Sequence, residues 1–199
     1  MIEAEFISKF DDADAVDMSD TTTNITEENI KELHILADRY PQAQSAIIPM
    51  LHLVQSIDGK VSGEGVRHIA RILDLPEAVV LGVVTFYTMF HKEAVGKHLI
   101  GVCTTSLCAV MGGDMVYETV RKHLGLDGEG TTEDGAFTLE RVECNAACDF
   151  APVMMLNWEF MDNMTPRKAI EIIEKLRNDE EVHSLSLIHI SEPTRPERI

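Results

Sequence analysis

The stretch "HLIGVCTTSLCAVMGGD", residues 98–114, joins a short apolar run to two cysteines, Cys103 and Cys108. The run "HLIGVC" predicts a buried β-strand, and the "GGDMVYETVRKHLGL" that follows the second cysteine predicts a helix. The chain has two other cysteines, Cys144 and Cys148, and they follow the alternating segment "AFTLERV", which predicts a second strand. The four cysteines therefore form two tight pairs, each at the end of a predicted strand.

The order strand, helix, strand predicts that the two strands are parallel and joined by a right-handed crossover. Parallel strands end at the same edge of a sheet, which is where open α/β sheets bind their ligands. Cys103 and Cys144 end the two strands, while Cys108 and Cys148 lie in the loops that follow. The sequence thus predicts that two pairs, remote in the chain, meet as one site with four thiolates.

The rest of this half predicts a hairpin and a last helix. "PVMMLN" and "EFMD" indicate two short strands joined around Asn157 and Trp158. "TPRKAIEIIEKLRN" indicates a helix with Thr165 as its N-cap and Pro166 at its first position. The predicted order is β-α-β-β-β-α, a mixed α and β fold.

The segment before the cysteines predicts four short helices that form a small bundle. They are indicated by "NITEENIKELHILADRY", "SAIIPMLHLVQSI", "SGEGVRHIARILDL" and "PEAVVLGVVTFYTMF". Asn24 or Thr26 is expected to cap the first helix and Ser62 the third, and Asp58-Gly59 is expected to end the second. The fourth is expected to run from Pro76 through Phe90.

The predicted organisation is therefore a disordered acidic arm over 1–24, a helical bundle over 25–91, a cysteine-bearing domain over 92–183 and a disordered tail over 184–199. The tail includes "LSLIHISEPTR", which resembles a translated sequencing adapter, so it is expected to be an artefact.

The composition of the chain disfavours some classes of function. A net charge of −17 over 199 residues disfavours nucleic-acid binding and leaves a protein partner as the expectation. The acidic N-terminus lacks the apolar core of a secretory signal, and no apolar run has the roughly 20 residues of a membrane span. We therefore expect a cytoplasmic protein, in which paired cysteines bind metal or perform redox chemistry more often than they form disulfides.

The spacing of the cysteines is compatible with two kinds of metal at the predicted site, an iron–sulfur cluster or zinc. A Cys-x4-Cys pair and a Cys-x3-Cys pair differ from the two Cys-x2-Cys knuckles of a zinc ribbon, from the ferredoxin pattern of plants and from the histidine-containing Rieske site. A two-iron cluster suits the arrangement, because each pair can hold one iron. The spacing alone nevertheless does not decide between iron–sulfur and zinc, and a thiol–disulfide oxidoreductase is a third class.

Three segments resemble one family. "LPEAVVLGVVTFYTMF", "CTTSLC" and "TTEDGAFTLERVECNAACDFAPVMMLN" are similar to the thioredoxin-like [2Fe–2S] ferredoxin subunits of respiratory NADH–quinone oxidoreductase, or complex I. The resemblance extends from about residue 25 to 178. It departs from the usual family pattern in two places, where Leu107 replaces a proline and Asn145-Ala146 replaces Leu-Gly.

The resemblance implies a helical bundle followed by a thioredoxin-like domain with one [2Fe–2S] cluster on Cys103, Cys108, Cys144 and Cys148. It implies a one-electron carrier that is not catalytic alone, within a translocase whose FMN and NADH are bound by a partner subunit. That complex would hold the chain on the cytoplasmic side, peripheral to the inner membrane. Related subunits serve NAD-linked hydrogenases and formate dehydrogenases, which are the alternative hosts, and a zinc-stabilised interaction module is the alternative of another class. Glu143 and Asp149 beside the cysteines predict a low reduction potential, because reduction adds negative charge.

Overall fold

The computed structural model describes residues 16–183, which fall into two compact units divided between Ala94 and Val95. Within the described residues, no helix is both long enough and apolar enough to cross a membrane. The predicted disorder of residues 1–15 and of 184–199 lies outside the described residues.

The first unit contains the four predicted helices. They are α1 (Glu27–Ala37), α2 (Ile47–Asp58), α3 (Gly63–Leu73) and α4 (Glu77–Phe86), with a 3-10 turn at Ala43–Ala46 before α2. Their boundaries follow local chemistry, because the hydroxyls of Thr26 and Ser62 accept hydrogen bonds from the first turns of α1 and α3. Gly59 ends α2 with a φ of 74°, a left-handed conformation that glycine adopts without strain.

Helix α4 differs from the prediction at both ends. Pro76 is its N-cap rather than its first residue, and the helix ends at Phe86 rather than at Phe90. The cause is a tertiary contact, because the side-chain amide of Gln55 donates to Met89 O and accepts from His91 N–H. These bonds satisfy the backbone in a non-helical path, and Phe90 still packs into the core with 2% of its surface exposed.

The prediction of a disordered arm is wrong for residues 16–24. Val16 is buried in the core of the first unit, and the carboxylate of Asp58 accepts hydrogen bonds from Thr23 Oγ1 and Asn24 N–H at 2.9 and 2.7 Å. Specific polar contacts with the bundle therefore compensate for the low apolar content from which disorder was predicted. A pattern of hydrophobic residues does not reveal such contacts.

The second unit is a five-stranded sheet with its helices. Its elements are β1 (His98–Cys103), α5 (Ser106–Val110), α6 (Gly113–Leu124), β2 (Gly130–Thr131), β3 (Phe137–Val142), β4 (Met154–Leu156), β5 (Glu159–Met161) and α7 (Pro166–Arg177). The strand order is β2-β3-β1-β4-β5. Strands β1 and β3 are parallel, as predicted, and Cys103 is in register with Val142 at their carboxyl ends.

The core of this unit lies between the sheet and the helices α6 and α7. Ile100 and Leu139 from the sheet pack in one buried cluster with Val116, Val120 and Ile173 from the helices. The predicted hairpin turns at Asn157 and Trp158, whose φ angles of 49° and 72° are left-handed. This core fixes β1 and β3 side by side and so positions the loops at their carboxyl ends.

Two elements of this unit were not predicted. Helix α5 has five residues and strand β2 has two, so neither is long enough to show a hydrophobic period. Strand β2 forms by pairing with β3, and the hydroxyls of Thr131 and Thr138 lie 2.7 Å apart across that pair. Both elements therefore depend on tertiary contacts.

Candidate metal centre

The first cysteine pair is buried at the carboxyl end of β1. Cys103 is the last residue of the strand and Cys108 lies in α5, with 2% and 3% of their surfaces exposed. The N–H of Cys103 donates to Val153 O at 3.1 Å, which fixes the first cysteine to the segment before β4. The pair is therefore held on both sides by ordered backbone.

A glycine that sequence reasoning missed allows this packing. A Cβ atom on Gly113, the first residue of α6, would lie 2.5 Å from Cys103 O and 2.9 Å from Cys108 O. Only glycine fits that space without displacing the backbone of one cysteine or the other. Gly113 thus sets how closely α6 approaches the first cysteine loop.

The second pair lies in the loop after β3 and is exposed. Cys144 follows Val142 by two residues, and Cys148 begins a 3-10 turn, Cys148–Phe150. The two sulfur atoms are 3.8 Å apart. Two thiolates on one tetrahedral metal, with bonds of about 2.3 Å, have a sulfur–sulfur distance of about 3.8 Å. The second pair is therefore already spaced to bind a single iron or zinc ion.

Thiols of each pair raise the pKa of a thiol in the other pair. Burial raises the pKa of the Cys108 thiol to about 11, and the Cys103 and Cys148 thiols add to the increase. The pKa of the Cys148 thiol is raised first by its contact with Cys144 and further by Cys103. Since thiolates are the metal-binding form, a bound cation would replace the protons that these groups hold.

Both pairs thus follow strand ends that lie side by side at one edge of the sheet, whereas their meeting as one site with four thiolates and their role as ligands stay predictions. All four are free thiols. Among residues 16–183, no three His, Cys, Asp or Glu side chains converge on a point suited to one metal ion. The thiols are instead arranged in two pairs. This arrangement suits two irons, each of which binds two cysteines.

An ion pair connects the elements that carry the two pairs. The guanidinium of Arg141, on β3, lies 2.8 Å from the carboxylate of Asp114, on α6, and 3.9 Å from the ring centroid of Tyr117. Because the groups are partly exposed, this contact contributes little to stability. It nonetheless orients the end of β3 relative to the helix that packs on the first cysteine loop.

Sequence reasoning gave no role to the side chain of Asn145, between the second pair of cysteines. Its Nδ2 atom is buried and has no hydrogen-bond partner within the described residues. Its neighbour Ala146 has a φ of 56°, a left-handed conformation that favours glycine. An asparagine in a cysteine loop carries no pattern from which such burial could have been inferred.

The small mixed sheet, with two thiol pairs after the carboxyl ends of its parallel strands, defines the class: an α/β protein that carries four cysteines at one edge of its sheet. Comparisons with known proteins identify the family. The thioredoxin-like [2Fe-2S] ferredoxin family matches residues 33–177, so the chain belongs to this family. The family's cofactor is one [2Fe–2S] cluster.

Similar protein sequences point to the same family. An NADH-quinone oxidoreductase subunit of Mycobacterium bovis is 50% identical over 141 residues, which are 71% of this chain and 56% of that protein. The subunit of the same name from Rickettsia bellii is 36% identical over 162 residues, which are 80% of this chain and 97% of that protein. The chain therefore spans about half the length of the mycobacterial relative and nearly all of the rickettsial one.

A solved structure shares the fold. A chain of an NAD+-reducing [NiFe]-hydrogenase superposes with a TM-score of 0.60 at 16% identity, over 67% of this chain and 23% of that chain. At this identity the likeness concerns the fold alone.

The residues at the site fit a [2Fe–2S] cluster. Four free thiols in two pairs match the number and the grouping of ligands that two irons need. The buried and unpartnered Nδ2 of Asn145 is a donor in the same loop, and cluster sulfur accepts such bonds.

Proposed function

We propose that this chain is the electron-transfer subunit of the NADH-oxidising module of an NADH–quinone oxidoreductase, with Cys103 and Cys108 on one iron and Cys144 and Cys148 on the other. The observation that carries the proposal is the pairing of thiols at the carboxyl ends of parallel strands in a chain of this family. When bound, a [2Fe–2S] cluster supplies one-electron redox chemistry.

The chain's own residues would hold the cluster asymmetrically. Cys103 and Cys108 are nearly inaccessible, so they keep water from one side of the site. Cys144 and Cys148 are exposed, and they leave the other side open to a partner. A cofactor held in this way is insulated from the solvent on the inside and can exchange electrons at the surface.

An exposed apolar patch beside the first cysteine loop supports docking of a partner. It consists of Leu107, Val110, Met111 and Met115, which are 45%, 83%, 57% and 63% exposed. Four large apolar side chains exposed within nine residues exceed the scattered single ones of an ordinary surface, and methionine is enriched at protein interfaces. We assign the patch to the subunit that binds NADH and flavin, because hydride oxidation requires a cofactor that takes two electrons.

The names of the relatives support one host complex over the other. Those at 36% and 50% identity carry the name NADH-quinone oxidoreductase, whereas the hydrogenase shares the fold at 16% identity. We therefore favour the quinone-reducing complex over an NAD-linked hydrogenase. Localisation to the cytoplasmic side of the inner membrane is part of the same proposal.

The ligand set is tested by replacing each of the four cysteines with alanine. Each variant should lose the native iron content and the EPR signal of the reduced state, because the described site offers no histidine in place of a missing thiol. Iron content and an EPR signal like those of the wild type in any one variant would remove that cysteine from the set.

The electron-transfer role is tested with NADH. The purified chain should not be reduced by NADH alone, and its visible absorption should bleach once the flavin-bearing subunit is added. Rapid bleaching of flavin-free chain by NADH would contradict the proposal.

The docking patch is tested with matched substitutions. The double variant Val110→Asn/Met111→Asn should keep its cluster and bind the flavin-bearing subunit at least tenfold more weakly. Trp158→Asn is the control, because it changes a half-exposed aromatic residue of the same unit whose left-handed conformation asparagine tolerates. Equal affinity of the wild type and the double variant would exclude the patch from the interface.

A further inference from the structure

The side chain of Asn145, between the second pair of cysteines, carries a polar atom that no group among the described residues satisfies. Its Nδ2 is buried with no hydrogen-bond partner among residues 16–183, although the residue lies in a mostly exposed loop. A buried amide N–H without an acceptor is strongly unfavourable, so in native proteins such a donor is usually paired with another protein group, a water molecule or a bound ligand.

The surroundings limit what that acceptor can be. The loop from Cys144 to Cys148 covers an apolar cluster that contains Ala147, Val153, Cys103 and Cys108. The members of this cluster contribute sulfur but no side-chain oxygen or nitrogen. Sulfur atoms are therefore the only side-chain acceptors that this cluster offers to Asn145, which precedes Ala147 by two residues in the same loop.

We propose that Asn145 donates a hydrogen bond from Nδ2 to a sulfur of the bound [2Fe–2S] cluster and thereby raises its reduction potential. The inference rests on the proposed function, since it requires that the site hold this cluster. Reduction adds negative charge to the sulfurs, so a donor to sulfur stabilises the reduced state more than the oxidised state.

The donor counteracts its charged neighbours. Glu143 and Asp149 flank the second pair of cysteines, and both are exposed. Their negative charges disfavour reduction, although solvent screens them. The amide nitrogen of Asn145 is uncharged and buried, so its effect on the potential is screened less. Asn145 thus tunes the potential by direct contact with the cluster but without binding iron.

The inference is tested by Asn145→Leu, which keeps the approximate size of the side chain and removes the donor. We expect the equilibrium constant for one-electron reduction to fall about tenfold, a shift of about 59 mV to lower potential in an EPR-monitored titration. Asn178→Leu is the matched control, because Asn178 is an exposed residue at the end of α7, and it should leave the potential unchanged.

A second measurement needs no variant. Wild-type chain labelled with ¹⁵N in the asparagine side-chain amide should show ¹⁵N hyperfine coupling and an exchangeable proton coupling in the reduced state. The absence of the ¹⁵N coupling would overturn the inference even if Asn145→Leu fails to assemble. An unchanged potential in cluster-loaded Asn145→Leu would overturn it too.

These outcomes are separable from failure of the proposed function. If the wild type holds no [2Fe–2S] cluster, the proposed function itself is wrong. If the wild type and Asn145→Leu both hold the cluster at equal potential, only the role of Asn145 is wrong.

Discussion

The contact between α6 and the first cysteine loop predicts a strong effect of Gly113→Ala. The added Cβ would lie 2.5 Å from Cys103 O, whereas ordinary contacts begin near 3.4 Å, so backbone must move by about 0.9 Å. Metal–ligand distances are held to within about 0.2 Å, so this displacement is several times what a bound metal tolerates.

The stability effect can be estimated in the same way. Inserting a methyl group into a filled space costs about 1–3 kcal/mol, and the helix preference of alanine over glycine returns about 0.5–1 kcal/mol. We therefore expect the free energy of unfolding of the cluster-free chain to fall by up to about 2.5 kcal/mol. After anaerobic reconstitution, iron per chain should fall well below that of the wild type.

The assay is iron content after reconstitution, combined with urea unfolding followed by circular dichroism. Gly128→Ala is the control, because no atom of the described residues lies within 4 Å of its added Cβ, apart from Gly128 itself and its two chain neighbours. Wild-type iron content and unchanged stability in Gly113→Ala would refute the claim that this glycine sets the geometry of the first pair.

Three further changes have predicted outcomes. Ala146→Gly should raise the free energy of unfolding by about 0.5–1 kcal/mol in a urea titration, because it relieves a left-handed conformation at a non-glycine residue; a decrease would mean that the loop is not strained. Asp58→Ala should lower stability by about 1–2 kcal/mol and speed amide exchange over residues 16–24, since it removes the acceptor of Thr23 and Asn24; unchanged exchange would contradict this anchoring. Burial raises the pKa of the Glu140 carboxyl from 4.5 to about 6, so the folded chain binds the carboxyl proton more tightly than the unfolded chain does. The free energy of unfolding therefore falls as the pH rises from 4.5 to about 6. Glu140→Gln should abolish that loss and gain up to about 1 kcal/mol at pH 7 after allowance for solvent screening, and an unchanged pH profile would contradict it.

The sequence was informative where structure follows from local patterns. The apolar run before Cys103 and the alternation before Cys144 predicted β1 and β3, and the intervening helix predicted that they are parallel. Caps at Thr26 and Ser62 were also confirmed, because a capping hydroxyl acts on its own helix. These features need no knowledge of distant contacts.

Other features depend on residues far apart in the chain. The early end of α4 results from hydrogen bonds of Gln55, more than thirty residues before it. The packing of residues 16–24 depends on the carboxylate of Asp58, and the requirement for Gly113 depends on the path of two cysteine backbones. Since none of these contacts has a period in the sequence, hydrophobic patterning could not predict them.

The same division applies to the candidate site. The pairing of cysteines and their meeting at one sheet edge could be inferred from spacing and topology. The burial of one pair, the exposure of the other and the buried amide of Asn145 required the three-dimensional structure. Spacing alone did not separate iron–sulfur from zinc, and the family match supplied that distinction.

The most direct test of the central claim is a metal and spin count on anaerobically purified chain. We expect two irons and two acid-labile sulfides per chain, no stoichiometric zinc, and one unpaired electron per chain after reduction by dithionite. One zinc per chain, or iron without an EPR signal in the reduced state, would contradict the assignment of Cys103, Cys108, Cys144 and Cys148 to a two-iron electron carrier.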